Sequence, residues 1–278
     1  MLATLLIVFR EVIEAGLIVG IVLAASRGVP RRSLWVAYGV SGGVLGACLV
    51  AAFAGEIESL FQGSGQELFN AAVLLLAVAM LTWHNVWMSS HGREIAREMR
   101  TVGAQVAAGE RTLGALAIVV GVAVLREGSE VVLFLYGIAS QPGTTNASLL
   151  AGGALGLAAG AGMSALMYYG LLAIPAHKLF RVTSGLITLL AAGMAAQAVL
   201  FLQQAGYLQM LMGTVWDTSW LISEDTIAGR LLHTLVGYSD APNGAQLIAY
   251  SLTIIAIVVL MRVVNQKPKT TAVPAPAE

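Results

Sequence analysis

Apolar residues in this chain gather into long runs separated by short polar segments. Each run suffices to cross the ~30 Å hydrocarbon core of a bilayer as a helix. The pattern predicts an all-α, polytopic membrane protein with seven transmembrane helices, at about 2–25, 33–54, 68–88, 113–139, 148–174, 179–203 and 245–263. They form one transmembrane transport domain over about 1–264, followed by a tail, 265–278, whose Pro268, Pro274 and Pro276 predict disorder on the cytoplasmic side. Met1 to Ala25 resembles a secretory signal only in its small-residue end, Ala24-Ala25-Ser26. It lacks a basic start and carries Arg10, Glu11 and Glu14 inside the apolar run, so a retained first helix is expected.

Two runs are broken by charge in the same way. Arg10-Glu11-Val12-Ile13-Glu14 lies in the first span and Arg126-Glu127-Gly128-Ser129-Glu130 in the fourth. Each ionised group costs roughly 2.5–3.5 kcal/mol at the centre of a membrane helix, so six of them need partners or a purpose. Positions three and four apart share a helix face. Glu11 therefore stacks with Glu14 and Glu127 with Glu130, while Arg10–Glu14 and Arg126–Glu130 are i,i+4 ion pairs. One guanidinium against two carboxylates leaves each motif about one negative charge short of neutrality. A bound cation closes that deficit.

The two motifs stand 116 residues apart, each at the head of three spans. Repeat one covers about 1–100 and repeat two about 110–206, and because three is odd they insert with opposite topology, an inverted repeat of the kind whose substrate sites lie near the bilayer midplane. The second span of each repeat carries small-residue faces: Gly39 and Gly43 with Gly42 and Gly46, and Gly152, Gly156 and Gly160. Gly16 and Gly20 predict a further close helix approach beside the first motif.

An outer linker, about 207–244, joins the sixth span to the seventh. Ser223 reads as an N-cap, Ile227, Leu231 and Leu235 share a face, and Gly237 ends the helix, which predicts a short amphipathic helix at the outer interface with Trp216 and Trp220 in an aromatic belt.

Composition agrees: 58% of residues are hydrophobic, 11% are charged, and the mean hydropathy is +0.81. Net charge is zero, which gives no basic face for nucleic acid, and the single Cys48 excludes an intrachain disulfide. Alternate loops hold Arg27, Arg31 and Arg32; Arg93, Arg97, Arg100 and Arg111; Lys178 and Arg181; and Arg262, Lys267 and Lys269, against Arg230 alone on the other side. This asymmetry puts the amino terminus outside and the carboxyl terminus in the cytoplasm. The outer loops carry Glu56, Glu58, Glu67, Asp217, Glu224, Asp225 and Asp240. They would draw cations to an outer mouth, although ordinary solvated loop acids are the plainer reading.

For the twin motifs three readings stay open: a structural lock of Arg among Glu, a proton relay, or a cation site. Four carboxylates without thiolates favour a hard cation over Cu(I) or Zn(II). His84, in Thr82-Trp83-His84-Asn85, falls near the end of the third span and reads as a satisfied or interfacial histidine. His91 and His177 sit in basic loops, Met163, Met167 and Met194 read as filler, and Asp217 as a turn residue. No H-E-x-x-H, P-loop or nucleophile elbow is present, so protease, ATPase and hydrolase readings lack their parts and no enzyme is expected.

With these residues in view, the chain resembles the oxidase-dependent iron permeases, which carry an R-E-G-L-E type motif in the first and fourth spans. The likeness extends to Leu81-Thr82-Trp83, Ala191-Ala192-Gly193-Met194-Ala195 and the segment from Trp216 to Ala241. Val12-Ile13 and Ser129 depart from the motif's spacer and leave every charged position in place. Many relatives have a glutamate in the stretch matching Phe201 to Gly206, where this chain offers only Gln203 and Gln204.

The resemblance implies iron import across a bacterial inner membrane, with Glu11, Glu14, Glu127 and Glu130 as ligands in transit. Arg10 and Arg126 would orient them, and Asp217, Gln204, Glu56 and Glu58 are candidates for vestibule or exit positions. Iron is then cargo and no permanent cofactor is expected. Ferroxidases or periplasmic iron-delivery proteins are the implied partners. Lead, manganese or protons as cargo, a non-transporting metal sensor or assembly subunit, and the number of chains that assemble are left open.

Overall fold

In lipid, a backbone must satisfy its own hydrogen bonds, and a helix does so within a single segment. The computed structural model describes the backbone of residues 1–60, 66–141, 143–170 and 176–265, and the side chains of 54–60, 93, 176, 177, 179, 227, 234 and 265 fall outside what is described. Among the described residues it is all-helical: α1 (Leu2–Ala25), α2 (Arg32–Leu60), α3 (Gln66–Ala107), α4 (Gly114–Ala139), α5 (Asn146–Tyr168), α6 (Ala176–Gln204), α7 (Ile227–Val236) and α8 (Gly244–Asn265). Five stretches are long and apolar enough to cross a membrane: 32–53, 66–92, 146–168, 180–204 and 244–264. α1 and α4, of 24 and 26 residues, match them in length and carry the three charges of each motif.

The outer surface of the bundle is apolar. Leu45, Leu49 and Phe53 of α2, Leu150 and Leu157 of α5, and Leu252, Ile255 and Val259 of α8 are all exposed, as lipid-facing helices require. Inside, Ile7 of α1, Leu74 and Leu81 of α3, Phe134 of α4 and Ile187, Ala191, Met194 and Ala198 of α6 form the core. α6 is the central helix, with 56% of its span buried against 6% for α8.

Small residues set the helix spacing. A Cβ on Gly156 of α5 would stand 2.7 Å from the Leu5 carbonyl oxygen and 2.9 Å from Val8 Cβ of α1. A Cβ on Gly43 of α2 would stand 2.7 Å from both the Gly121 carbonyl oxygen and Val124 Cβ of α4. Leu5 and Gly121, and likewise Val8 and Val124, are 116 positions apart, the same offset as the two motifs. α1 thus meets α5 through the same face and register by which α4 meets α2. One turn further along, the partners exchange size: Gly160 lies against Val12, whereas Gly128 lies against Ala47. Gly16 and Gly20 also receive α5, through Ser164 and Tyr168.

Two expectations are corrected. α3 continues to Ala107 instead of ending near residue 88, so His91, Arg97 and Arg100 lie on a helix and not in a loop. Ser223 does not cap α7; the cap is Thr226, whose hydroxyl accepts from the Gly229 amide, because Glu224 is engaged elsewhere: its amide donates to Asp240 Oδ2 at 3.0 Å while the Asp240 amide donates to Glu224 Oε1 at 3.2 Å. Gly237 (φ 68) ends α7 as expected, directly against Gly193 of α6. The Asn243 side-chain amide donates to Gln203 Oε1 at 2.7 Å, tying the segment between α6 and α8 to the end of α6. The tail from 266 onward lies outside the described residues.

Replacing Gly156 by Leu drives a side chain into the α1 backbone and should cost at least about 2 kcal/mol, whereas Gly153→Leu enters open space and should be tolerated. Thermal unfolding of the two variants in detergent checks the difference. In the segment between α6 and α8 the Glu224 carboxylate, 3.7 Å from His233 Nδ1, raises the His233 pKa, and His233 lowers that of Glu224. Raised His233 stabilises fully below its ordinary pKa of about 6.5 and loses this as pH rises through the higher folded value; lowered Glu224 stabilises above about 4.5 and loses this as pH falls through its folded value. Protection of the α7 amides from hydrogen exchange, corrected for intrinsic rates, should peak between those limits, and His233→Gln should flatten the profile.

Candidate metal centre

The charged motifs meet in the interior. Arg10, Glu11, Glu14 and Glu127 are 2%, 1%, 3% and 4% exposed. Within α1 the guanidinium of Arg10 lies 2.9 Å from Glu14 Oε1, through Nε, and 3.5 Å from Glu11 Oε1, through Nη1. In α4, Arg126 Nε lies 3.2 Å from Glu130 Oε1 and 3.8 Å from Glu127 Oε1. Both i,i+4 pairs expected from the spacing are formed. The arginines pair with the Oε1 atoms and leave the second oxygen of each glutamate: Glu11 Oε2, Glu14 Oε2, Glu127 Oε2 and Glu130 Oε2 are buried without a hydrogen-bond partner.

A third helix completes the cluster. His84 of α3, 3% exposed, stands between the motifs with Nε2 3.7 Å from Glu11 Oε2 and 3.5 Å from Glu14 Oε2, while Nδ1 contacts Glu130 Oε2. Neither ring nitrogen has the alignment of a hydrogen bond with these oxygens. Phe134 meets the ring edge-on, with centroids 6.5 Å apart. Asn85, the next residue, donates to Thr188 Oγ1 at 3.1 Å and to the Ser184 carbonyl at 3.2 Å, which fixes the register of α3 against α6. One ligand atom each from Glu11, His84, Glu127 and Glu130 lie within 4.8 Å of one another, close enough to hold a metal ion. Glu14 stands beside this set, held by Arg10.

His84 was expected near a helix end because the third span was drawn to stop at about 88. With α3 running to 107, it sits in the middle of the helix. An ionisable residue inside an apolar run was the available signal, the same one that marked the two motifs.

The two halves of the centre differ in their surroundings. The Arg10 side chain is 2% exposed and that of Arg126 is 35% exposed, its guanidinium 4.2 Å from the centre of the Trp87 ring, which in turn stacks on His91. A cleft of about 360 Å³, lined by Ala79, Met80, Trp83, His84 and Glu130, opens on this flank.

Other candidates lie elsewhere. Gln204 is exposed at the end of α6, and the buried residue of that pair is Gln203, spent on Asn243. Asp217 is exposed and accepts from the amide and hydroxyl of Ser219 at 2.9 and 2.6 Å, a turn. The side chains of Glu56 and Glu58 lie outside the described residues.

Residues 1–266 match the family model of the iron permease FTR1 family. The chain belongs to the iron permease FTR1 family. It is 30% identical over 263 residues to the ferrous iron permease EfeU of Escherichia coli O6:H1, covering 93% of this chain and 94% of that one. The EfeU of Yersinia pestis is 29% identical over 277 residues, 98% of this chain and 96% of its own. No solved structure matches the chain. Family and apolar helices together make this a multi-pass membrane permease.

The unequal burial of the two arginines sets an expectation for an FTR1-family bundle. Removing one partner of a buried ion pair costs about 3–5 kcal/mol, because it leaves charge uncompensated, and the cost is smaller where protein encloses the pair less completely and its contacts are longer, as at Arg126. Arg10→Ala should therefore unfold at markedly lower temperature than Arg126→Ala, as read by thermal melts of the purified variants.

Proposed function

We propose that the chain imports iron across the bacterial cytoplasmic membrane through the centre formed by Arg10, Glu11 and Glu14 with Arg126, Glu127 and Glu130. The observation that carries this reading is the second carboxylate oxygen of each motif glutamate, which the arginines leave unpaired: Glu127 Oε2 has no hydrogen bond or ion pair, and Glu11 Oε2, Glu14 Oε2 and Glu130 Oε2 have only the His84 ring beside them. A buried carboxylate oxygen left unpaired is costly, and a multivalent cation satisfies several at once. The family supplies the cargo.

In this reading α1 and α4 cross the membrane with the five longer apolar stretches, seven spans in all, and α1–α3 and α4–α6 are two halves of opposite topology. The matched α1–α5 and α2–α4 contacts support that division. Such halves rock about a midplane site, opening it to one side and then the other. The amino terminus lies outside, as the distribution of basic residues indicates, and the outer acids gather cations delivered by a ferroxidase or a periplasmic iron-binding protein. The glutamates replace part of the ion's water shell, while the arginines hold them apart from one another and limit how tightly the ion is bound. An inside-negative potential of 100 mV favours entry by about 2.3 kcal/mol per unit charge, so downhill import needs no ATP.

Glu11→Gln and Glu127→Gln each remove a charge that binds the ion and should reduce iron uptake into proteoliposomes to background, with the protein still folded by size-exclusion chromatography. Wild-type uptake by either folded variant rules out the site.

A further inference from the structure

We propose that His84 is a metal ligand of this centre and the residue that gives it preference for transition-metal ions over Mg²⁺ and Ca²⁺, an inference that rests on the carboxylate cluster being the transport site. Its carrier is the placement of one imidazole at 3% exposure among carboxylates from two other helices, with each ring nitrogen facing a carboxylate oxygen.

A set of carboxylates alone suits hard ions such as Mg²⁺, Ca²⁺ and Mn²⁺, and offers iron no advantage over them. An imidazole changes that ranking, because nitrogen donors suit iron, zinc, copper and nickel. Histidine ligands usually give one nitrogen to the metal and donate the other N–H to a carboxylate, which fixes ring and tautomer. His84 is set up for this from either side: Nδ1 meets Glu130, while Nε2 faces Glu11 and Glu14. Whichever nitrogen takes the ion, the other already faces an acceptor. Glu14, held 2.9 Å from Arg10 and outside the group that converges within 4.8 Å, suits the accepting role.

Position is enforced from outside the cluster. The Asn85 bonds to α6 and the edge contact with Phe134 hold the ring where it is. His84 is also the one member of the set that lies on neither motif helix, so the ion bridges three helices instead of two. The same residue lines the 360 Å³ cleft beside Glu130.

The ranking of divalent ions follows. Zn²⁺, which binds mixed nitrogen and oxygen sites at least as well as Fe²⁺, should compete with Fe²⁺ uptake by the wild-type chain, whereas Ca²⁺ should not. In His84→Asn, which keeps a polar side chain and removes the nitrogen donor, Zn²⁺ competition should weaken by at least about tenfold relative to Ca²⁺.

The test has two readouts on the full-length chain. One is Fe²⁺ uptake into proteoliposomes under ascorbate, with Zn²⁺ or Ca²⁺ as competitor. The other is pulsed EPR of substoichiometric Mn²⁺ bound to the detergent-purified protein, which detects nitrogen from a coordinated imidazole. Nitrogen coupling in the wild type that disappears in His84→Asn, with the tenfold loss of discrimination, is the expected result. Coupling that persists in folded His84→Asn, or an unchanged Zn²⁺ to Ca²⁺ ratio, overturns the proposal while leaving iron transport through the carboxylates standing. A wild type that binds Mn²⁺ without nitrogen coupling overturns it even where His84→Asn fails to fold. A wild type that takes up no iron defeats the transport reading, and the EPR signal then still decides the ligand.

Discussion

Four carboxylates set against two guanidiniums, away from water inside an apolar bundle, are the constraint on which the rest of this structure turns. Unit charges 4 Å apart interact by about 4 kcal/mol even at an effective dielectric constant of 20, so like charges at this spacing repel strongly unless something of opposite sign intervenes. Arg10 and Arg126 each bridge the two glutamates of their own helix, but the bridges leave a carboxylate oxygen on every glutamate without a hydrogen bond. A bundle with this interior is stabilised by its packing and strained by its charges. Under the proposed function, that strain is what an incoming cation would relieve.

Packing has to be close for the charges to meet at all. α1 and α4 are each backed by the glycine face of another helix: α5 seats Gly152, Gly156 and Gly160 on α1, and α2 seats Gly39 and Gly43 on α4. Lipid tails are as apolar as leucine, so helices in a membrane gain little from burying side chains and much from backbone proximity and dispersion. Because the α1–α5 and α2–α4 contacts share one register, they place Glu11 and Glu127 at matching heights on their helices. His84 then enters from the long helix α3, whose position is set by its bonds to α6.

Much of this is legible in the sequence because membrane helices obey few rules and those rules are strict. Span lengths follow from bilayer thickness, and α4 and α8 begin and end within one or two residues of the hydropathy runs. The ion pairs follow from i,i+4 geometry, and the paired glycines from their spacing. What escaped the sequence depended on tertiary context. Hydropathy marks where a helix leaves lipid and not where it ends, so the polar half of α3 was taken for a loop and His84 for a residue near its edge. The choice between Gln203 and Gln204 turns on a rotation of one residue at a helix end, which only the Asn243 partner decides. Ser223 is, in isolation, a slightly better cap than Thr226. The exchange between Glu224 and Asp240 selects the second.

The two motifs read alike in sequence, but their surroundings make them unequal. Arg10 is sealed by protein, so its charge can be answered only by Glu11 and Glu14, and the trio behaves as a fixed unit. Arg126 reaches the surface of the bundle and lies over Trp87, where the ring face supplies a second, weaker partner for the guanidinium. Its hold on Glu127 and Glu130 is correspondingly looser, at 3.8 and 3.2 Å against 2.9 Å for the Arg10–Glu14 pair. A centre built this way has one rigid wall and one adjustable wall, with the cleft on the adjustable side. For the proposed transport site, tight binding would need the ligands preorganised and release would need them exchangeable, and an asymmetric pair of arginines fits both demands within a single cluster of side chains.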